Sequence, residues 1–406
     1  MRQGAWRKVW DGVLISTALA VLLLALGLDV YWGPGILKTI STDSVRAHGD
    51  FNTFWHSAAA LWEGGDIYDT GAEAENRNPP FWTVLISPLG LLRPLLAYHI
   101  FSMVSVILTV GYLTLMAGEV RLGPRWAVAG TALLLLSSPM LKTLALGQMY
   151  PVLGTGLVAA WVSDRRGWEK LSGAALGLVV ALKPSLAPIV LWPLVRRRWK
   201  AFAAALASAA AATLVGAIVV GPGATLEWLR LLPDDTVNPY WDNASLSSAA
   251  ARLFTDSEVA RPIATLPWMI LVAYALGIGA IVFTAARVRH GAEVGLWAMV
   301  AASLLASPIA WHNYLVLLGP GILLLLGRGW LAAGFLLLAL QSIPPYWPTL
   351  WVGEDTVVAT LGLTLYFYIL IAHWLTFVVA AGRQRALGST PGAPVQIRDP
   401  GQGPAR

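Results

Sequence analysis

The feature that most constrains this chain is a succession of apolar runs, with few charges inside them, from one terminus to the other. They fall near 12–31, 95–117, 126–141, 149–163, 171–195, 200–221, 263–285, 293–310, 313–327, 329–343 and 356–381. A bilayer crossing takes about 20 apolar residues. Of 406 residues 57% are hydrophobic and 12% charged, where soluble domains carry about a quarter charged. Most of the surface therefore faces something other than water, and the chain is read as all-α, a polytopic transmembrane helical bundle. The first run follows Arg2, Arg7 and Lys8 and exceeds the roughly 7–15 residues of a signal core. It is therefore read as a retained first helix. The absence of cysteine excludes disulfides, thiolate metal sites and cysteine nucleophiles.

The net charge of +6 does not point to nucleic acid, because the basic residues flank apolar runs. Counting loops alternately, 17 of the 28 Lys and Arg fall on one side, among them Arg165, Arg196 and Arg328. The other side holds nine basic residues but 16 of the 22 acidic ones. The excess of positive charge in cytoplasmic loops then places both termini in the cytoplasm of a plasma-membrane protein, and the number of crossings is even. Within 171–195, Pro184 removes a backbone donor and clashes with the preceding turn, so Lys183-Pro184 is expected to divide the run into two short helices that go out and return. That gives about twelve crossings. Residues 80–92 are left as an outer-face re-entrant or interfacial helix. Two outer segments, about 32–79 and 222–262, are too long for simple connections. In the first, Phe51, Phe54, Trp55, Ala58, Ala59 and Trp62 have the spacing of an amphipathic helix lying on the membrane. Residues 1–386 read as a single domain, and 387–406, rich in Gly and Pro, as a disordered cytoplasmic tail.

Three positions stand out for chemistry. Asp50, at the start of the amphipathic helix, is either a helix cap or a general base taking a proton from a hydroxyl. Lys183 either reaches out to the interface or meets a phosphate arriving from the lipid layer, since a lysine inside an apolar run is costly. His312, in Ser307-Pro308-Ile309-Ala310-Trp311-His312-Asn313, is either structural or a phosphate or sugar contact. Lys142, just after Ser137-Ser138-Pro139, either meets such a phosphate too or, being at a loop, is simply solvated, and the second reading is preferred. Most of the 20 tryptophans are expected in an interfacial belt, with Trp55, Trp82 and Trp311 able to stack on a sugar. There is no phosphate loop, dinucleotide fingerprint, HExxH or GxSxG. No ligand spacing suggests a metal, so neither metal nor cofactor is expected and an activated group would come from lipid.

In order along the chain stand Asp50-Phe51, Phe54-Trp55-His56-Ser57-Ala58-Ala59, Gly65-Asp66-Ile67-Tyr68, Asn78-Pro79-Pro80-Phe81 and Ser87-Pro88-Leu89. Leu146-Gly147-Gln148-Met149, Ala181-Leu182-Lys183-Pro184, Asn243-Ala244-Ser245-Leu246 and Ser307 to His312 follow. Together, over about 45–320, these resemble glycosyltransferase family 87, of the GT-C fold. The resemblance implies an inverting transfer of a hexose, with mannose expected, from a polyprenyl phosphate to an acceptor hydroxyl on a glycolipid or glycan at the outer face. It implies Asp50 as the base, Lys183 and His312 balancing charge on the departing phosphate, and Gln148 and Asn243 as polar contacts in the cavity. The alternatives are a multi-pass transporter or lipid flippase, or an inactive scaffold for envelope synthesis. The polar residues cluster at the outer face rather than along a midplane path, which favours the enzyme.

Overall fold

The computed structural model describes residues 2–32, 40–231, 237–290, 293–351 and 353–388. Among them there is no strand, only one isolated antiparallel bridge between Asn243 and Trp311. Four helices are long and apolar enough to cross a bilayer: Pro94–Glu119, Trp199–Val220, Met269–Val288 and Leu365–Arg383. A fifth crossing arises if Pro124–Leu135 and Ser138–Leu146, bent by 50°, are one span. Most other expected runs are helical but short, such as Gly295–Ala306 and Leu331–Gln341, so length alone does not carry the count of twelve. The last helix runs to Gly388, and the expected tail beyond it lies outside the described residues.

Residues 80–92 form the helix Pro80–Ile86 and a 3-10 turn, Ser87–Leu91. Twelve residues at 1.5 Å each reach about 18 Å, well short of the roughly 30 Å of a hydrocarbon core. The 171–195 run breaks where expected. Helix Glu169–Leu182 stops at Lys183, Pro184–Val190 is 3-10, and Leu191–Val195 completes the return. The two ends of this hairpin meet: Arg198 donates to Glu169 at 2.6 Å, and Arg196 to Asp164 at 2.8 Å.

Those pairs belong to a larger set at one end of the molecule. Glu119 is held by Arg165 and Arg166, Glu293 by Arg165 and Arg328, and Arg383 lies 5.0 Å over the Trp330 ring. Apart from Arg196–Asp164, which is largely buried, these pairs are partly exposed, and such pairs add little stability. Their value here is positional: loops assigned to one side by charge counting do share one end. Lys183 sits at the far turn of the hairpin, about 20 Å away by helix rise.

The centre is Gly295–Ala306, of which every residue from Gly295 to Leu305 is buried. A helix apolar all round belongs inside a bundle. Around it, close approach depends on small residues. A Cβ on Gly173 would stand 1.9 Å from the Ala201 carbonyl oxygen, and one on Gly177 2.2 Å from that of Ala205. This Gly-x-x-x-Gly face lets Glu169–Leu182 lie backbone to backbone on Trp199–Val220.

The Gly49–Glu63 helix forms as expected, but its apolar face is not spent on lipid. Phe51, Phe54 and Ala58 are buried against Tyr98, Phe101 and Trp82 within the core. Residues 64–79 fold back over it: Ser57 donates to the Ile67 carbonyl at 2.7 Å, and Asn76 to the Ser57 hydroxyl at 3.0 Å. Expectation and structure differ because the pattern specifies an apolar face but not what covers it.

Gly173→Leu is expected to overpack the hairpin seam and cost about 1–3 kcal/mol or more. Gly111→Leu, where a Cβ meets nothing within 4 Å, should be nearly neutral. Thermal unfolding of the two variants in detergent checks the difference.

Candidate active site

The site is built around the start of the Gly49–Glu63 helix. Asp50 occupies the first turn, while His48 is the cap residue. The carboxylate is therefore not the cap. It accepts instead from the side-chain amide of Gln148. Three contacts bring these distant residues together. His48 is fully buried, stacked on Tyr98 with ring centres 3.4 Å apart, and its Nδ1–H donates to the Ala145 carbonyl at 2.7 Å. Gly147 ends the Ser138–Leu146 helix with φ +70°, a left-handed conformation favoured by glycine. A Cβ on Gly147 would lie 2.4 Å from the Cβ of Phe51. Glycine is thus required twice over, and the residue after it is Gln148.

Asp50, Gln148 and Lys183 line one cavity of about 220 Å³. Arg77, Ser185, Trp311 and Tyr314 complete its working wall. Lys183 arrives at the hairpin break, where backbone turns and side chain leaves the apolar run. Its ammonium donates to the Tyr314 hydroxyl at 3.0 Å and lies 4.8 Å over that ring. Arg77 pairs at 3.0 Å with Glu75, which lines the same cavity. Burial pushes the Asp50 carboxyl above its ordinary value of 3.8, with the Gln148 hydrogen bond and the charges of Lys183 and Lys142 opposing. A carboxylate made more basic by desolvation, sharing a small cavity with the Lys183 ammonium, can take a proton while the lysine holds an anion.

Two expected site residues are not in this cavity's lining. Asn243 is fully buried, donates to Asn238 and Pro308 carbonyls, and accepts from the backbone of Ala310 and Ser245. His312 is also fully buried, with Nε2 3.3 Å from the Gln341 carbonyl and its ring against Tyr366. Both secure the Ser307–Trp311 strip that forms the wall. Lys142, expected in solvent, pairs with the buried Asp242 of the same support. Trp82 is fully buried and closed to any sugar, and Trp55 donates to the Leu92 carbonyl outside the cavity. Trp311 alone of the three tryptophans is in place. Arg77, Ser185 and Tyr314 were missed as site residues, although Arg77 and Ser185 each stand beside a quoted motif. Among the described residues no group of His, Asp and Glu has the arrangement of a metal site.

A helical scaffold with several apolar spans holds a desolvated carboxylate and a lysine on one cavity. The chain belongs to glycosyltransferase family 87, whose sequence profile matches residues 77–308, and it is a glycosyltransferase. It is 30% identical over 330 residues to a polyprenol-phosphate-mannose-dependent alpha-(1-2)-phosphatidylinositol pentamannoside mannosyltransferase of Mycolicibacterium smegmatis, covering 74% of this chain and 76% of that protein. A polyprenol-phosphate-mannose-dependent alpha-(1-2)-phosphatidylinositol mannoside mannosyltransferase of Mycobacterium tuberculosis is 27% identical, covering 68% of each. An alpha-(1->3)-arabinofuranosyltransferase of Corynebacterium glutamicum is 27% identical over 48% of this chain and 46% of its own. Among solved structures, apo ArnT from Cupriavidus metallidurans aligns over 94% of this chain and 78% of its own. At 18% identity and a TM-score of 0.36, that overlap is too loose to carry an argument.

Gly147→Ala should strain the turn by about 1–2 kcal/mol and displace Phe51, and with it the Asp50–Gln148 pair. Sugar transfer is expected to fall more steeply than thermal stability. Equal losses in both measurements would mean that Gly147 serves the fold alone.

Proposed function

We propose that this protein transfers a hexose, namely mannose, from a polyprenyl phosphate to a hydroxyl of a glycolipid or glycan acceptor, with inversion at the anomeric carbon. The observation that carries the reading is the single cavity shared by Asp50, Gln148, Lys183 and Arg77. Asp50 takes the proton of the acceptor hydroxyl as its oxygen attacks the anomeric carbon. The bond from that carbon to the phosphate oxygen breaks, and the phosphate leaves with the electron pair. Attack from the face opposite the leaving group inverts the centre. Lys183 and Arg77 offset the charge growing on the phosphate, the point at which such groups lower a barrier most. Gln148 orients the carboxylate, while His312 and Asn243 hold the wall from behind. No step calls for a metal or a further cofactor.

The donor rests on the two relatives whose names specify polyprenol-phosphate-mannose. Mannose is favoured over arabinofuranose because the mannosyl relatives match 74% and 68% of this chain, against 48% for the arabinosyl one. The topology goes with this reading: one domain over 1–386 in the GT-C arrangement, about twelve crossings, both termini cytoplasmic and the Asp50 cavity on the outer face. The arginine-rich end, opposite that cavity, is then inside, in keeping with the charge rule.

Transfer of labelled mannose from polyprenyl-phosphate-mannose, measured in membranes, tests the assignment. Asp50→Asn should lower turnover by roughly 10²–10⁴ with the protein still folded, and full activity in that variant would sink the role of Asp50. The base works ionised, so activity is complete above its pKa and falls as pH drops through it. Because that pKa is raised, the acid limb should lie above 3.8, and Asp50→Glu should shift it. Lys183→Met should raise the KM for donor more than it raises the KM for acceptor.

A further inference from the structure

The arginine-rich end carries a groove of about 650 Å³ that the transfer chemistry does not use. Leu191, Val195 and Val282 line it together with Arg196, Arg197 and Arg289, and among the described residues no acidic side chain lines it. Arg196 is committed, paired with Asp164 and lying 4.5 Å from the Trp192 ring centre. Arg197 is exposed and makes no ion pair among the described residues, and the Nε–H of Arg289 donates to His290 at 2.9 Å. On its lipid side the groove continues into exposed apolar side chains of the Met269–Val288 helix, Val282 at 61% and Ile278 at 63%.

The backbone adds a second argument. Helices ending at Gly147, Gly167 and Gly329 close alike, with a residue of positive φ donating to the carbonyl three back and the next residue donating five back. Arg121 and Arg197 close their turns in the same manner, with φ of 57° and 58°. The left-handed region is disfavoured for a residue with a Cβ, and glycine is its usual occupant. At 197 the backbone alone would choose glycine, so the guanidinium there has a use outside the turn. Unbalanced positive charge over an apolar cleft between membrane helices matches a phosphate with a hydrocarbon chain below it.

We propose that this groove binds one anionic glycerophospholipid, its phosphate held by Arg197 and Arg289 and an acyl chain lying along Leu191 and Val282. The occupant is a lipid rather than free phosphate, because half of the groove's lining is hydrocarbon.

The chain has no cysteine, so Ala286→Cys, in the groove wall, gives a single labelling position for a fluorophore. Phosphatidylglycerol with a spin-labelled acyl chain is titrated into detergent-solubilised protein, beside phosphatidylcholine carrying the same label. Phosphatidylglycerol should quench at a concentration about tenfold or more lower, and Arg197→Gly and Arg289→Gln should each reduce that preference about fivefold. Arg197→Gly should hold or raise the thermal midpoint, because glycine relaxes the turn, so its loss of lipid would not be a loss of fold. Equal quenching by the two lipids overturns the proposal, as does a preference unchanged in both variants. Displacement of the labelled lipid by equimolar glycerol phosphate would also overturn it, leaving a site for free phosphate.

Discussion

The site depends on how closely two backbones approach at Gly147 and Phe51. The Gly49–Glu63 helix could rest on this bundle in many registers if its apolar stripe alone held it. Contact without room for a side chain selects one, and the buried His48–Ala145 hydrogen bond locks it. Burial pushes the His48 pKa down from 6.5, and its Nε2 has no partner among the described residues, so the ring stays neutral and Nδ1 keeps its proton for Ala145. Two segments nearly a hundred residues apart are thereby fixed to within the length of a hydrogen bond, as proton transfer demands.

The same molecule separates its charges by function. At one end, arginines and acids form a mesh across loops and mark which segments turn together. At the other, where most of the acidic residues lie exposed in the long loops, one cavity draws in Asp50 and Lys183 together with Glu75 and Arg77. The Lys183-Pro184 break joins the two ends. The hairpin is anchored by Arg196 and Arg198 at the mesh and delivers an ammonium at its tip, where the irregular backbone borders a cavity rather than lipid.

Much of this was legible in the sequence, for local reasons. Pro184 fixes a break wherever the run is placed, charge counting groups the arginine loops, and a Gly before Gln148 signals a helix end. The quoted motifs brought Asp50, Gln148 and Lys183 forward, and they do meet. What stayed hidden was tertiary. Whether Phe51 and Phe54 face lipid or protein does not change their spacing. Asn243 and His312 carry the polar groups of ligands, yet Asn243 spends them on the carbonyls and amides of its own support and His312 is closed in behind the wall. Arg77 and Tyr314 adjoin quoted motifs, but they become part of the cavity only when residues 64–79 fold back and the strip after Ser307 is pinned to Asn243.

The order in which the cavity's walls occur along the chain has a consequence for biogenesis. The carboxylate at 50 emerges early, its amide partner a hundred residues later, the lysine at 183, and the tyrosine that holds that lysine only at 314. When the first half of the chain has been made, the carboxylate, its amide and the lysine are all present, but the tyrosine that holds the lysine is not. The cavity is therefore complete only when the final third, which carries Trp311 and Tyr314, has taken its place in the wall.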